Sequence, residues 1–304
     1  MQLRKQILRQ MYYDSKYRLK KGEYLSRKGG GRMIELNRIY NMDCLEGMKL
    51  LPNECIDLTV TSPPYDNLRT YNGNIKQWSF EKFQAIAKEL YRVTANGGVV
   101  VWIVADATIK GSETGTSFRQ ALFFMECGFN LHDTMIYQKD TCPFPETNRY
   151  YPMFEYMFVF SKGKPKTVNL IADKPNKSYG EKVASSTQRR PDGKIVKVSA
   201  NKTDPTRTVK KYGVRGNVWQ YSIGYNKSTK DKYAYKHPAI FPEQLAQDHI
   251  LSWSNEGDVV LDPFMGSGTT AKMALLNNRN YIGFELDKHY CDIANERIRK
   301  EYIE

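Results

Sequence analysis

Apolar and polar positions along this chain switch repeatedly between two periods, and the switches mark its elements. From Met33 onward, Ile34-Glu35-Leu36-Asn37-Arg38-Ile39-Tyr40 begins a strand-like alternation. Residues 45–51 read as a short helix ended by Pro52. Ile56 to Val60 reads as a strand, stopped by Pro63-Pro64. Phe83, Ile86, Ala87 and Leu90 recur at helical spacing within 80–93, and Asn96-Gly97-Gly98 is expected to close that helix. Val99 to Val104 is a near-continuous apolar run of strand length, the pattern of a buried parallel strand. A helix over 118–127 and strands over 134–137 and 155–160 follow. Beyond a polar stretch at 162–236 the rhythm returns: helix 244–252, strand 259–261, helix 269–276, strand 281–284 and helix 287–301. Strands alternating with helices on both sides of a polar insert predict an α/β fold, a Rossmann-like doubly wound, mostly parallel sheet.

The 304 residues suit one core domain carrying an inserted module. The expected organisation is a basic extension at 1–32, a first half of the core at 33–161, the insert at 162–236 and a second half at 237–304. No run of 18 apolar residues exists, so no membrane span is expected, and the basic N-terminus leads into no apolar stretch of a standard secretory signal. Cys44, Cys55, Cys127, Cys142 and Cys291 form no paired motif, and the four histidines complete no zinc pattern. A disulfide scaffold and a metal site are therefore not expected, and a reducing cytoplasm fits. Net charge is +13. Residues 162–236 hold 19 Lys and Arg against 5 Asp and Glu, and residues 1–32 hold 10 against 2, so the rest of the chain is mildly acidic. A cationic block confined in this way is the footprint of a polyphosphate partner, or else a solvated insert.

Two constellations carry chemistry. Asp262-Pro263-Phe264-Met265-Gly266-Ser267-Gly268-Thr269-Thr270 lies between an apolar strand and a helix. Its glycines let backbone approach a ligand closely, and the helix N-terminus offers free N–H groups. Glu285 ends the next strand, about 20 residues on, where a carboxylate can bind ribose hydroxyls. No loop ending in Gly-Lys-Ser or Gly-Lys-Thr follows the phosphate-loop spacing. The second constellation is Thr61-Ser62-Pro63-Pro64-Tyr65, at the carboxyl end of a strand. Its two prolines stiffen the backbone and donate nothing, but their carbonyls accept. A rigid turn with a hydroxyl, a carbonyl and an aromatic face suits a planar heterocycle bearing an amino group.

These two motifs, in this order, resemble the β arrangement of the amino-group DNA methyltransferases that use S-adenosylmethionine. His237-Pro238-Ala239-Ile240-Phe241 matches that family's segment ahead of the cofactor loop, and Asn41-Met42-Asp43-Cys44 its N-terminal acidic turn. The resemblance implies that Asp43 binds the cofactor adenine and Glu285 its ribose. The loop of Asp262, Pro263, Phe264, Gly266, Ser267, Gly268 and Thr269 would take the methionine portion, with His237, Pro238, Ala239 and Phe241 closing over it. Ser62 and the Pro63 carbonyl, supported by Pro64, would hold the target amine, and Tyr65 would stack on a flipped base. The stretch 162–236 stands where the family carries its target-recognition region. There Lys210, Lys211 and Arg215 are expected to grip DNA phosphates. Ser62 and the Ala239-Ile240-Phe241 form lean towards N4 of cytosine, with N6 of adenine the alternative. Methylation at carbon 5 would need a cysteine nucleophile after a proline. Cys142 instead precedes Pro143, and is read as incidental. A non-catalytic nucleic-acid-binding protein and an RNA or small-molecule methyltransferase are rivals that the four ordered motifs argue against. The resemblance implies double-stranded DNA as partner and leaves open a cognate restriction endonuclease and a monomer or a homodimer.

Overall fold

A computed structural model describes residues 24–25, 34–64, 78–142, 147–183, 186–198 and 206–303. Tyr65 lies outside the described residues, as does nearly all of the basic extension at 1–32. The main elements are β1 (Arg38–Asn41), α1 (Cys44–Lys49), β2 (Ile56–Thr61), α2 (Phe80–Val93), β3 (Thr94–Val104), α3 (Thr116–Glu126), β4 (Asn130–Lys139) and β5 (Phe154–Ser161). They continue with β6 (Val218–Tyr221), α4 (Glu243–Trp253), β7 (Val259–Asp262), α5 (Thr269–Leu276), β8 (Asn280–Glu285) and α6 (Lys288–Ile303).

The eight strands form one sheet in the order β6-β4-β5-β3-β2-β7-β8-β1. Only β5 runs antiparallel to its neighbours, β3 and β4. Val100, Trp102 and Val104 of β3 belong to a core cluster with α1, α2 and α3, while the intervening Val99, Val101 and Ile103 are equally buried on the opposite face. There α4 packs against β2 and β3, and α5 against β7 and β8. Burial on both faces explains why this strand reads as an unbroken apolar run. From β2 the chain winds through α2 to β3, and from β7 it winds the other way through α5 to β8. The switch point of the sheet lies between β2 and β7, where open α/β sheets place their sites.

Two expectations are corrected. Helix α2 ends at Val93, capped by the Thr94 hydroxyl on the Leu90 carbonyl (2.6 Å), so Asn96-Gly97-Gly98 opens β3 rather than closing a helix. The insert is also shorter than its charge suggests. A compact unit spans Leu170–Gly216, while residues 162–169 and 217–236 belong to the core unit. Val218–Tyr221 is the edge strand β6, pairing in parallel with β4. The 170–216 unit consists of two short antiparallel ladders, Lys174–Pro175 with Tyr212–Gly213 and Ser186–Arg189 with Ile195–Val198. Its Leu170, Ile195 and Val214 are exposed, so it buries little apolar surface of its own.

Candidate active site

The carboxyl ends of β2 and β7 lie side by side, with Leu58 opposite Val260 and Thr59 opposite Leu261. A fully buried hydrogen bond ties the two ends together: the Thr61 hydroxyl donates to Asp262 Oδ1 at 2.6 Å. The same carboxylate oxygen accepts the Phe264 N–H at 3.0 Å, and the Thr270 hydroxyl donates to the Val60 carbonyl at 3.1 Å. These bonds set the Ser62 turn against the glycine loop. Asp262 is 1% exposed, and burial pushes its carboxyl up to about 6 despite its donors. It therefore fixes the loop from below and does not line the cleft. Gly268 plays a similar part: its backbone is left-handed (φ 83°), and an added Cβ would stand 2.9 Å from Ala294 Cβ.

The loop, the Ser62 turn and the 237–241 segment bound one open cleft. At its acidic end stand Asp43, Glu285 and Asp287. Asp43 caps α1, accepting the Leu45 N–H at 2.9 Å, and its other oxygen accepts from Lys82 Nζ at 2.6 Å. Burial works against its charge, but Lys82 and the backbone donors outweigh burial and hold the carboxyl below the usual range. Glu285 accepts the N–H groups of Gly266 (2.7 Å) and Asp287 (2.8 Å). Burial nevertheless pushes it up to about 7. One wall is aromatic, with Trp78 edge-on to Phe264 at 5.5 Å between ring centroids.

Beside Glu285, Gly266 (φ 52°) faces His237, and a Cβ there would stand 3.0 Å from the His237 Nε2. Its imidazole Nδ1 accepts the Ala239 N–H at 3.1 Å, and the ring lies against Tyr290 at 4.4 Å. Pro263, Ser267, Thr269, Ala239, Phe241, Ser62 and Pro64 also line the cleft. The cleft thus gathers Asp43, Glu285, the loop, the 237–241 segment and the Ser62 turn. Pro63 is buried behind it and Pro238 is exposed outside it, so neither side chain lines it. Sequence reasoning missed Trp78, Lys82, Asp287 and Tyr290, which line it as well.

An aromatic wall beside two carboxylates suits an adenosine. A close-approach glycine loop under an imidazole suits an amino-acid tail. These residues fit S-adenosylmethionine. In the 170–216 unit, Lys210 and Lys211 are exposed. Arg215 departs from expectation: its guanidinium forks onto Asp173, with Nε at 2.8 Å and Nη2 at 2.6 Å from Oδ2. Its charge is matched within the unit instead of standing free for phosphate.

Known proteins resemble this chain in sequence or in fold. The orphan methyltransferase M.BamHII of Bacillus amyloliquefaciens is 65% identical over 82% of this chain and 90% of its own length. The putative DNA modification methylase TTHA0409 of Thermus thermophilus, solved in complex with S-adenosyl-L-methionine, superposes with a TM-score of 0.56 at 25% identity, covering 87% of this chain and 95% of that one. The cytosine-N4-specific PvuII DNA methyltransferase shares the fold with a TM-score of 0.62 at 21% identity, over 93% and 95% of the two chains. The family model for DNA methylases of the N6/N4 type matches residues 56–296. The chain belongs to that family and is an S-adenosylmethionine-dependent DNA methyltransferase.

Proposed function

We propose that the chain transfers a methyl group to N4 of a cytosine flipped out of duplex DNA. The observation that supports transfer to an exocyclic amine is the Thr61–Asp262 bond, while the choice of cytosine rests on Ser62 and the Ala239-Ile240-Phe241 form. That bond sets the Ser62-Pro63-Pro64 turn beside the glycine loop, and Ser62 and Pro64 line the same cleft as Glu285. S-adenosylmethionine, when bound, supplies an electrophilic methyl on a sulfonium. The chain's task is to bring an amine to it: the N–C bond would form as the S–C bond breaks, leaving the cofactor as the neutral thioether, and the surplus proton on nitrogen would pass to solvent by way of its hydrogen-bonded acceptor. An exocyclic amine is a poor nucleophile because its lone pair is delocalised into the ring. Ser62 Oγ and the Pro63 carbonyl accept its two N–H bonds and draw the nitrogen towards tetrahedral geometry, which frees the lone pair. Tyr65 stacks on the base and holds it in line, so most of the acceleration is a proximity effect. Asp43 holds the adenine end of the cofactor, Glu285 its ribose, and the loop with His237, Ala239 and Phe241 its methionine end.

The 170–216 unit reads the DNA sequence, with Lys210 and Lys211 on phosphates. Its scarce apolar burial favours ordering on the duplex. No helix among the described residues is long and apolar enough to cross a membrane, and the reaction takes place in the cytoplasm on double-stranded DNA. Nucleoside mass spectrometry of DNA from a methylation-free host expressing the chain tests the target base. N4-methylcytosine is expected. N6-methyladenine in its place would move the target to adenine, and absence of both would refute the reading.

A further inference from the structure

Helix α6 carries Tyr290, Ala294, Arg297 and Glu301 at spacings of four, three and four residues, so they share one face. That face backs the cleft. Tyr290 lines it and lies against the His237 ring, and Ala294 abuts Gly268. Arg297 has no exposed surface, and all three of its nitrogens are bonded. Nε donates to Asp231 Oδ2 at 2.6 Å. Nη1 donates to the Ser267 carbonyl at 3.0 Å and to Thr269 Oγ1 at 2.9 Å. Nη2 donates to Thr229 Oγ1 at 3.1 Å and to Glu243 Oε1 at 2.5 Å. On α5, Lys272 Nζ reaches Asp231, Glu243 and Glu301 at 2.8, 3.0 and 2.8 Å.

A guanidinium buried this completely is tolerated only when its donors are matched, and removing one partner is costly. Its acceptors come from two separate places. Thr229, Asp231 and Glu243 bracket the segment that carries His237, Ala239 and Phe241. Ser267 and Thr269 belong to the glycine loop and line the cleft. The planar fork thus spans both walls of the methionine end, a geometry that an ammonium does not reproduce.

We propose that Arg297 is a positioning residue for the cofactor: it fixes the separation of the 237–241 segment and the 266–269 loop, and so sets S-adenosylmethionine affinity without lining the cleft. The proposal rests on the reading of this cleft as the cofactor site. Two variants test it, Arg297→Lys and the milder Glu243→Gln, which removes one charged acceptor and leaves the others in place. Cofactor Kd by calorimetry, the cofactor KM and kcat, duplex affinity and the melting temperature are measured for each. In Arg297→Lys the cofactor Kd should rise on the order of tenfold, the scale of one lost hydrogen bond to a charged group. Glu243→Gln should shift it in the same direction by less. In both, KM for the cofactor should rise by a larger factor than kcat falls, and duplex affinity should stay near that of the wild type. A lowered melting temperature with unchanged cofactor Kd and KM would overturn the proposal and leave Arg297 a purely structural residue. Should Arg297→Lys fail to fold, Glu243→Gln decides alone by the same readings. Failure of the wild-type protein to bind S-adenosylmethionine would instead refute the cofactor site itself.

Discussion

Glu285 gives the cleft a pH dependence that can be worked out in advance. Burial holds its carboxyl at about 7, well above the ordinary value near 4.5, although two backbone N–H groups donate to it. Ribose hydroxyls are donors, so the cofactor binds the ionised form. The apparent Kd is the intrinsic one divided by the ionised fraction. Affinity should therefore be full above about pH 8 and fall through pH 7. Near pH 6, with roughly a tenth of the group ionised, it should be about tenfold weaker. Linkage to folding has the opposite sense. A raised carboxyl pKa means that the folded protein holds the proton more tightly than the unfolded chain. This group's contribution to the stability of the cofactor-free protein is thus lost as pH rises from about 4.5 through 7, by roughly 3 kcal/mol in all. Calorimetric titration with S-adenosylmethionine from pH 6 to 8.5 is the assay, with Glu285→Gln as control. At pH 7 binding should release about half a proton, seen as a binding heat that depends on the buffer's ionisation enthalpy. The variant should bind weakly at every pH, because its amide would turn an NH2 towards the N–H of Gly266 or Asp287. The cofactor's own amino group titrates in both proteins and cancels in the comparison. A flat wild-type affinity over this range, or the same slope in the variant, would refute the reasoning.

Gly266→Val should weaken cofactor binding while leaving duplex affinity intact. Its φ of 52° disfavours a β-branched residue, and a Cβ would stand 3.0 Å from the His237 Nε2; unchanged calorimetric affinity would reduce the loop to a simple turn. Lys210→Gln with Lys211→Gln should flatten the salt dependence of duplex binding by roughly 0.9 slope units per lost phosphate contact. Adding Arg215→Gln should change the slope little, because that guanidinium is matched by Asp173; a salt series that shows an equal further drop would contradict this. Tyr65→Ala should lower turnover in a steady-state assay with cofactor affinity retained, and wild-type turnover would remove Tyr65 from the site.

The parts of the fold that announce themselves in the chain are those whose burial has a period. Helix α2 shows its buried Phe83, Ile86, Ala87 and Leu90 at helical spacing, and β3 its continuous apolar run. β6 escaped notice because its buried positions are Trp219 and Tyr221, two rings in a block of lysines, and its partner β4 lies some 80 residues earlier. The site divides in the same way. Glu285, Gly266 and the Ser62 turn follow directly from strand ends and glycines. Lys82 reaches Asp43 across 39 residues, and nothing local in the chain records that pair. Asp262 was legible as important but not in its role: only the Thr61 bond and its burial show that it joins two strands and does not face the cofactor. The Tyr290, Ala294, Arg297 and Glu301 spacing was available as a helical stripe. Its meaning lay in Ser267 and Thr269, about 30 residues away.

Transfer of labelled methyl from S-adenosylmethionine to duplex DNA, comparing wild type with Ser62→Ala at saturating cofactor, tests most directly whether the two strand ends form one catalytic cleft. Ser62 is assigned to the target amine and Asp43 and Glu285 to the cofactor, so cofactor affinity should survive. Losing one acceptor on the target amine should cost on the order of 2–4 kcal/mol in the transition state, roughly 30- to 1000-fold in turnover. Label in N4-methylcytosine from the wild type, with that loss in Ser62→Ala and an unchanged cofactor Kd, is the predicted result. Wild-type turnover in Ser62→Ala, or loss of cofactor binding together with turnover, would contradict it.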